Sequence, residues 1–130
     1  MPTQDEVRLA VPATPEFLRL ARVTATGLAS RLGFTYDEVE DLRLAIDELC
    51  YTLIGNAGRR GQVSLRYLMT SDGLQIEGIG QFDDGAEEPT ISDLTRQILR
   101  ALVDSYEVGR DTSGCPSFQL VKRTLASRQR

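Results

Sequence analysis

Polar and apolar residues alternate in five stretches of the chain, and each stretch predicts a β-strand. Successive side chains of a strand point to opposite faces of a sheet, so a repeat of two gives one buried and one exposed face. The turn signal Ser71-Asp72-Gly73 joins the second stretch to the third as a hairpin. The predicted strands are Glu6–Val11, Val63–Met69, Leu74–Gly80, Tyr106–Val108 and Ser117–Val121.

A helical repeat follows the first strand. Thr14 is expected to be its N-cap, with Pro15 in the first helical position and Glu16 near the positive end of the helix dipole. Gly33 is expected to end it. Apolar residues at helical spacing predict its buried stripe, which comprises Phe17, Leu20, Ala21, Thr24, Leu28 and Leu32.

Two further helices are predicted. Thr35 and Glu38 have the spacing of a capping box, which starts the second helix, and Gly55 is expected to stop it. Ser92 is expected to cap the third helix. The second helix has a buried stripe of Leu42, Ile46, Leu49 and Leu53, with Val39 and Cys50 at its edges, and the third carries Leu94, Ile98, Ala101 and Leu102.

The predicted elements follow the order β-α-α-β-β-α-β-β. Strand pairs joined by hairpins, with helices to cover one face, indicate a two-layer α+β sandwich with a mixed, mostly antiparallel sheet. The 130 residues are enough for one hydrophobic core and contain no internal repeat or low-complexity linker. We therefore expect a single domain over residues 1–130.

Composition narrows the class of protein. The net charge of −4 argues against a nucleic-acid-binding surface, which needs clustered basic residues to neutralise phosphates. The chain has neither the run of about 20 apolar residues that a membrane helix needs nor an apolar export signal at its start. It contains no histidine, and Cys50 and Cys115 lack metal-ligand spacing. A cytoplasmic protein with reduced thiols and no membrane partner is expected.

One row of residues along the second helix contains a candidate catalytic group. Asp41, Ala45, Glu48 and Thr52 lie beside the predicted buried stripe, so Glu48 and Thr52 are expected to face the edge of the sheet. A carboxylate there is suited to act as a general base or to orient a water molecule on a phosphate. The spacing is equally compatible with a half-exposed charge on an amphipathic helix.

The stretch LARVTATGLASRLGFTYDEVEDLRLAIDELCYTLIGNAG resembles the front of the anti-sigma factor serine kinases, the RsbW and SpoIIAB family. That family belongs to the GHKL superfamily of histidine-kinase-like ATP-binding domains. The resemblance continues through the hairpin to the closing LVDSYEV and FQLVKR segments, so it covers nearly the whole chain. It implies the two-layer GHKL sandwich and a set of nucleotide contacts.

The second helix of the family carries Glu-x-x-x-Asn, in which the Glu is the base that activates a partner serine and the Asn binds Mg²⁺. The resemblance assigns Glu48 to the catalytic position and Thr52 to the metal position. A threonine hydroxyl lacks the amide carbonyl of asparagine, which weakens a magnesium site. Thr52 would therefore be a weaker magnesium ligand than the asparagine of the family.

The other nucleotide contacts of the family are eroded. Its Asp-x-Gly-x-Gly motif follows the returning strand, where this chain places Gly78 at the Asp position, Gly80 at the first glycine and Phe82 at the second. The acceptor for adenine is thus replaced, and a phenyl ring stands where a backbone approach was needed. Ser117 corresponds to a threonine near the adenine, and Glu77 is expected on the opposite face of its strand. ATP-Mg²⁺ is expected to bind weakly or not at all.

The resemblance implies a protein that sequesters an alternative sigma factor and is displaced by an anti-anti-sigma factor of the STAS type. Arg22 matches a partner-contacting arginine of the family, and Arg19 and Val23 extend that surface. Read without the resemblance, Arg22 is a solvated charge off the predicted stripe, whose replacement by Ala should barely affect folding. The family also implies a homodimer.

Two other functions stay open at this point. An active ATP-dependent serine kinase would use Glu48 as the base and Thr52 as an altered metal ligand to phosphorylate the anti-anti-sigma factor. A scaffold of the same fold with other clients would use none of these residues in the family's way. Nucleotide affinity distinguishes the kinase from the binding protein.

Overall fold

The computed structural model describes residues 5–85 and 87–124. Its strands and helices follow the order predicted from the sequence. Their bounds are β1 Asp5–Pro12, α1 Pro15–Arg31, α2 Tyr36–Ile54, β2 Gly61–Met69, β3 Gly73–Phe82, α3 Asp93–Leu102, β4 Ser105–Arg110 and β5 Pro116–Arg123.

The five strands form one sheet in the order β1-β2-β3-β5-β4. Every neighbouring pair is antiparallel, so the sheet has none of the mixed character that we expected. Alternate residues of the strands are buried beneath the helices, as Val63, Leu65 and Tyr67 show on β2. This is the predicted α+β sandwich of one sheet and one helical layer.

The middle helix, α2, forms the centre of the core as predicted. Its stripe of Leu42, Ile46, Leu49 and Leu53 is at most 3% exposed. The predicted capping box is formed: the Thr35 hydroxyl accepts from the Glu38 backbone N–H at 3.2 Å, and Glu38 accepts from the Thr35 N–H at 2.8 Å. Both ends of α2 are thus set by local sequence, because Gly55 follows with φ of 73°.

The buried face of α1 differs from the prediction. Phe17 and Leu20 are 37% and 47% exposed, and Thr24 and Leu28 are only half-buried. Small side chains let α1 lie close to α2 and the sheet, and this close packing outweighed the pattern of large apolar residues. The fully covered positions are Leu18, Ala21, Ala25 and Ala29. Thr14 stands at the N-cap, but its side chain makes no capping hydrogen bond.

The third helix, α3, packs through few residues. Ser92 caps it as predicted, by accepting from the Thr95 N–H at 3.1 Å, but its buried residue is Leu99, whereas Leu94 is 66% exposed. At its C-terminal end the ammonium group of Lys122, from β5, donates to the Leu102 carbonyl at 2.7 Å. Lys122 is 4% exposed, so a buried charge fastens α3 to the sheet.

The face of the sheet that the helices leave open is polar. Arg66 lies 3.2 Å from the carboxylate of Glu6 and 3.5 Å from that of Glu77, which confirms that Glu77 points away from the helices. Across residues 5–85 and 87–124, none of the helices combines the length and the apolar character needed to cross a bilayer.

Two glycines of β3 lie under phenyl rings on the helical side of the sheet. A Cβ atom built on Gly78 would be 2.3 Å from Cε2 of Phe118, and one on Gly80 would be 2.3 Å from Cε2 of Phe82. Both distances are far shorter than a van der Waals contact. The rings therefore need glycine at both positions.

We expect Gly78→Ala to lower the free energy of unfolding by about 1–3 kcal/mol, the usual cost of overpacking a core. The reason is that the Phe118 ring, 2% exposed, would have to move. Urea unfolding with an unchanged m-value measures the loss. Gly27→Ala in α1 is the control, since nothing lies within 4 Å of the added Cβ, and it should stabilise by about 0.5–1 kcal/mol. Wild-type stability of Gly78→Ala would contradict this packing.

Candidate functional site

Glu48 lies half-buried in the middle of α2, on the side that faces α3. Its Oε2 accepts a hydrogen bond from the Thr95 hydroxyl at 3.2 Å. The Thr95 oxygen in turn accepts from the Ser92 hydroxyl at 3.0 Å. The predicted base is therefore held by the first turn of α3, through two hydroxyl groups that sequence spacing alone did not connect with it.

Thr52 lies one turn after Glu48, as predicted. Its hydroxyl donates to the Glu48 backbone carbonyl at 2.8 Å, so the hydroxyl proton is used in a hydrogen bond within α2. The described residues contain no group of three or more Cys, Asp or Glu side chains placed to hold a metal ion. Thr52 thus has no carboxylate cluster around it to complete a hard-cation site.

The residues expected to contact adenine do not share one surface. Gly78 and Gly80 are buried on the helical side of β3, under the rings of Phe118 and Phe82. Ser117 lies on the opposite side of the sheet, because its neighbour Phe118 occupies the inward position on β5. The expected contact from Ser117 is therefore not placed where the resemblance requires it.

Arg59, in the loop before β2, holds Phe82 in place. Its guanidinium carbon lies 4.0 Å from the centre of the phenyl ring, within the range of a cation–π contact. The same side chain donates to Asp84 at 2.7 Å and to the Gly85 carbonyl at 3.3 Å. The hydrogen bond from Arg59 lowers the pKa of the Asp84 carboxyl. Nothing in the local sequence pattern pairs Arg59 with Phe82, so this contact follows only from the tertiary structure.

Neither Glu48 nor Thr52 lines any of five surface cavities that the described residues form. Two of these cavities, of about 480 and 570 Å³, lie on the open face of the sheet and share Glu77 and Ile79.

The expected partner surface lies on α1 and is separate from Glu48. Arg19 and Val23 are exposed, Val23 to 58%. Arg22 has a partner within the chain that sequence analysis missed: its Nε lies 3.2 Å from Oδ1 of Asp47 on α2. Burial raises the pKa of the Asp47 carboxyl, and the charge of Arg22 opposes that rise.

No family model matches the chain. Over 75 aligned residues it is 40% identical to the serine-protein kinase RsbW of Bacillus subtilis. The aligned segment is 55% of this chain and 47% of that relative. Over 110 aligned residues it is 33% identical to the serine-protein kinase RsbW of Listeria monocytogenes. The aligned segment is 82% of this chain and 64% of that relative. The chain thus spans 47–64% of the length of these two curated relatives.

A solved structure of the RsbU and RsbW domains of a Mycobacterium tuberculosis protein has the same fold. The TM-score is 0.66 at 16% sequence identity, over 95% of this chain and 32% of that one. Such a low identity supports the fold alone, whereas the curated relatives show the likeness in sequence. Together they show that the chain is similar in sequence to the RsbW serine-protein kinases and has the fold of an RsbW domain.

Proposed function

We propose that this chain is an anti-sigma factor of the partner-switching kind. It sequesters an alternative sigma factor, and an anti-anti-sigma factor of the STAS type releases it. The observation that carries this proposal is the pair of phenyl rings on Gly78 and Gly80, which fill the face of β3 where a nucleotide needs access to the backbone. The chain keeps the fold and an exposed helix, while phenyl rings cover two positions at which the family contacts the nucleotide.

The exposed side of α1 supports a protein-binding role. Phe17, Leu20 and Val23 are spaced three residues apart and are 37%, 47% and 58% exposed, so they form an apolar strip along the helix. Arg19 is exposed, and Arg22 keeps 34% of its side chain exposed. Apolar side chains beside arginines are typical of protein interfaces, where arginine pairs two-pronged with carboxylates.

ATP and Mg²⁺ fit the described residues poorly. Thr52 uses its proton within α2, Phe82 is fixed by Arg59, and Ser117 faces the other side of the sheet. Glu48 and Thr52 are the residues that would remain to hold the metal, with one carboxylate between them. We therefore treat nucleotide binding as weak or lost.

An active serine kinase is the second candidate. It is favoured by the retained Glu48, whose contact with the Thr95 hydroxyl has the geometry of a general base on a hydroxyl group. The curated relatives are named serine-protein kinases. In that case the substrate would be a serine of the anti-anti-sigma factor.

The wider setting also follows from the family. We propose that the chain acts in the cytoplasm, as a homodimer, and without direct contact with nucleic acid or membrane. A scaffold with unrelated clients would share the fold but would not depend on Arg22. Binding of a sigma factor or a STAS-domain protein separates these possibilities.

We expect millimolar ATP-Mg²⁺ to leave the melting temperature almost unchanged. A ligand at a hundredfold excess over its Kd would stabilise the folded state by about 2.7 kcal/mol, which raises the melting temperature by several degrees. Differential scanning fluorimetry measures the shift, with the Bacillus subtilis relative as the positive control. A clear shift for this chain would support the kinase instead.

We expect Glu48→Gln to retain partner capture and release. Glutamine keeps an oxygen that can accept from Thr95, so the contact between α2 and α3 survives while the base is removed. Affinity for the sigma factor and for the STAS protein should equal that of the wild type. Transfer of labelled phosphate to the STAS protein by the wild type, and its loss in Glu48→Gln, would refute the binding-only role.

We expect Arg22→Ala to weaken partner binding by roughly thirtyfold, which corresponds to about 2 kcal/mol for a desolvated interface arginine. Because Asp47 loses its ion pair, stability should also fall by about 0.5–1 kcal/mol, more than sequence analysis suggested. Calorimetric titration and a melting curve on one sample measure both. Arg31→Ala, at the exposed far end of α1, is the control. Unchanged affinity in Arg22→Ala would remove Arg22 from the interface.

A further inference from the structure

Arg22 and Asp47 form the ion pair that joins α1 to α2 in the described part of the chain. The contact runs from Nε of the guanidinium to Oδ1 of the carboxylate at 3.2 Å, and the side chains are 34% and 25% exposed. The Nε atom is buried and has no hydrogen-bond partner among the residues that the structure describes, so its contact with Asp47 is an ion pair without hydrogen-bond geometry. Asp47 therefore lies against one edge of the guanidinium and not the whole group.

The other edge of the guanidinium is available for a partner. A guanidinium has two forks, one between Nε and an Nη and one between the two Nη groups, and each matches a carboxylate. Among residues 5–85 and 87–124, the ion pair of the Arg22 guanidinium runs from Nε to Asp47, and Nε rather than an Nη group is its buried nitrogen without a hydrogen bond. A carboxylate on a partner protein can pair with the outer fork without displacing Asp47.

We propose that Asp47 is a positioning residue for partner recognition, which orients Arg22 so that its outer fork receives a carboxylate of the partner protein. This inference rests on the proposed function. It assigns a role to an acidic residue that would otherwise be counted as a charge unfavourable to an acidic partner. The partner surface it fits is an Asp or Glu side chain next to apolar residues, which would pack on Val23.

The packing around α1 explains why an orienting contact for the Arg22 side chain would favour binding. The backbone of α1 is fixed because Ala21 and Ala25 are 0% exposed against their neighbours. The long Arg22 side chain would still sample several rotamers, and fixing it at the moment of binding costs free energy. The ion pair settles that orientation before the partner arrives. Arginine on a rigid helix with its Nε edge occupied is thus pre-organised for a two-pronged contact.

The surroundings of Asp47 keep its carboxylate directed at α1. Burial disfavours its charge, Arg22 and Arg43 favour it, and the neighbouring Glu48 opposes it. Arg43 is itself bound to Glu40 at 2.9 Å, so Arg22 is the direct partner of Asp47. A half-buried carboxylate with one close cation has a defined direction, which is what a positioning group requires.

The experiment measures affinity for the sigma factor or STAS-domain protein that binds the wild-type chain in a pairwise screen of such proteins from the source organism. Asp47→Ala should weaken that affinity between roughly threefold and tenfold. Glu40→Ala is the matched control: it removes the carboxylate partner of Arg43, whose exposure equals that of Arg22, and should leave affinity within twofold. Melting curves for each variant confirm that binding is measured on folded protein.

The double variant Arg22→Ala/Asp47→Ala separates positioning from a general structural role. If Asp47 acts through Arg22, the double variant binds no more weakly than Arg22→Ala alone. Asp47→Asn keeps the shape but removes the charge that faces Arg22, so it should bind as weakly as Asp47→Ala if the ion pair orients the guanidinium. These two results together would establish the positioning role.

Several results would overturn the proposal. Unchanged binding by Asp47→Ala would show that Asp47 does not contribute to recognition, and tighter binding would show that it shields Arg22 from the partner. Fully additive losses would show that Asp47 acts independently, and an equal loss in Glu40→Ala would show a general charge effect. If the wild type binds no sigma factor and no STAS-domain protein, the proposed function fails and this inference fails with it, whereas the other results leave that function standing.

Discussion

The packing of α2 against the sheet is the constraint on which the rest of the structure depends. Its four-residue stripe is covered almost completely, so rotation of the helix about its axis would expose apolar area or bury charge. Neighbouring residues on a helix diverge by about 100°. With the stripe fixed, Asp47 must turn to α1 and Glu48 to α3. One helix thus supplies the groups of two different surfaces.

Part of the helical side of β3 is covered by phenyl rings without loss of the fold. Gly78 and Gly80 need no side chain of their own, because Phe118 and Phe82 cover the space above them. An aromatic ring over a glycine buries apolar area and fills the space that the missing side chain would leave. Arg59 then stacks on the outer ring and ties it to Asp84.

The exposed surface of α1 is a consequence of how this helix is packed. Leu18 and three alanines carry the contact with the core, and Phe17 and Leu20 remain outside. The inward alanines bring α1 close enough to α2 for a single ion pair to span the two helices. An apolar strip beside an arginine is the chemistry of many protein interfaces, which is why the proposed partner surface is placed on α1.

The sequence by itself determined the features that depend on neighbours along the chain. The order of elements, the capping box at Thr35, the N-cap at Ser92 and the stripe of α2 follow from turn chemistry and from a strong 3.6-residue repeat. The resemblance to the family correctly indicated the fold, and it pointed to Glu48, Gly78 and Phe82 as candidate nucleotide-site positions. Their chemistry could be compared with short motifs, which Glu48 matches and from which Gly78 and Phe82 depart.

Only the tertiary structure decided which distant residues meet. The insertion of β5 between β3 and β4 brings Phe118 over Gly78 and turns Ser117 away. The side of α1 that is buried was misjudged, because alanines contribute little to an apolar pattern but permit the closest approach. The partners Asp47 for Arg22 and Thr95 for Glu48 lie 25 and 47 residues away in the chain. Such contacts depend on the relative placement of packed helices, which no local repeat encodes.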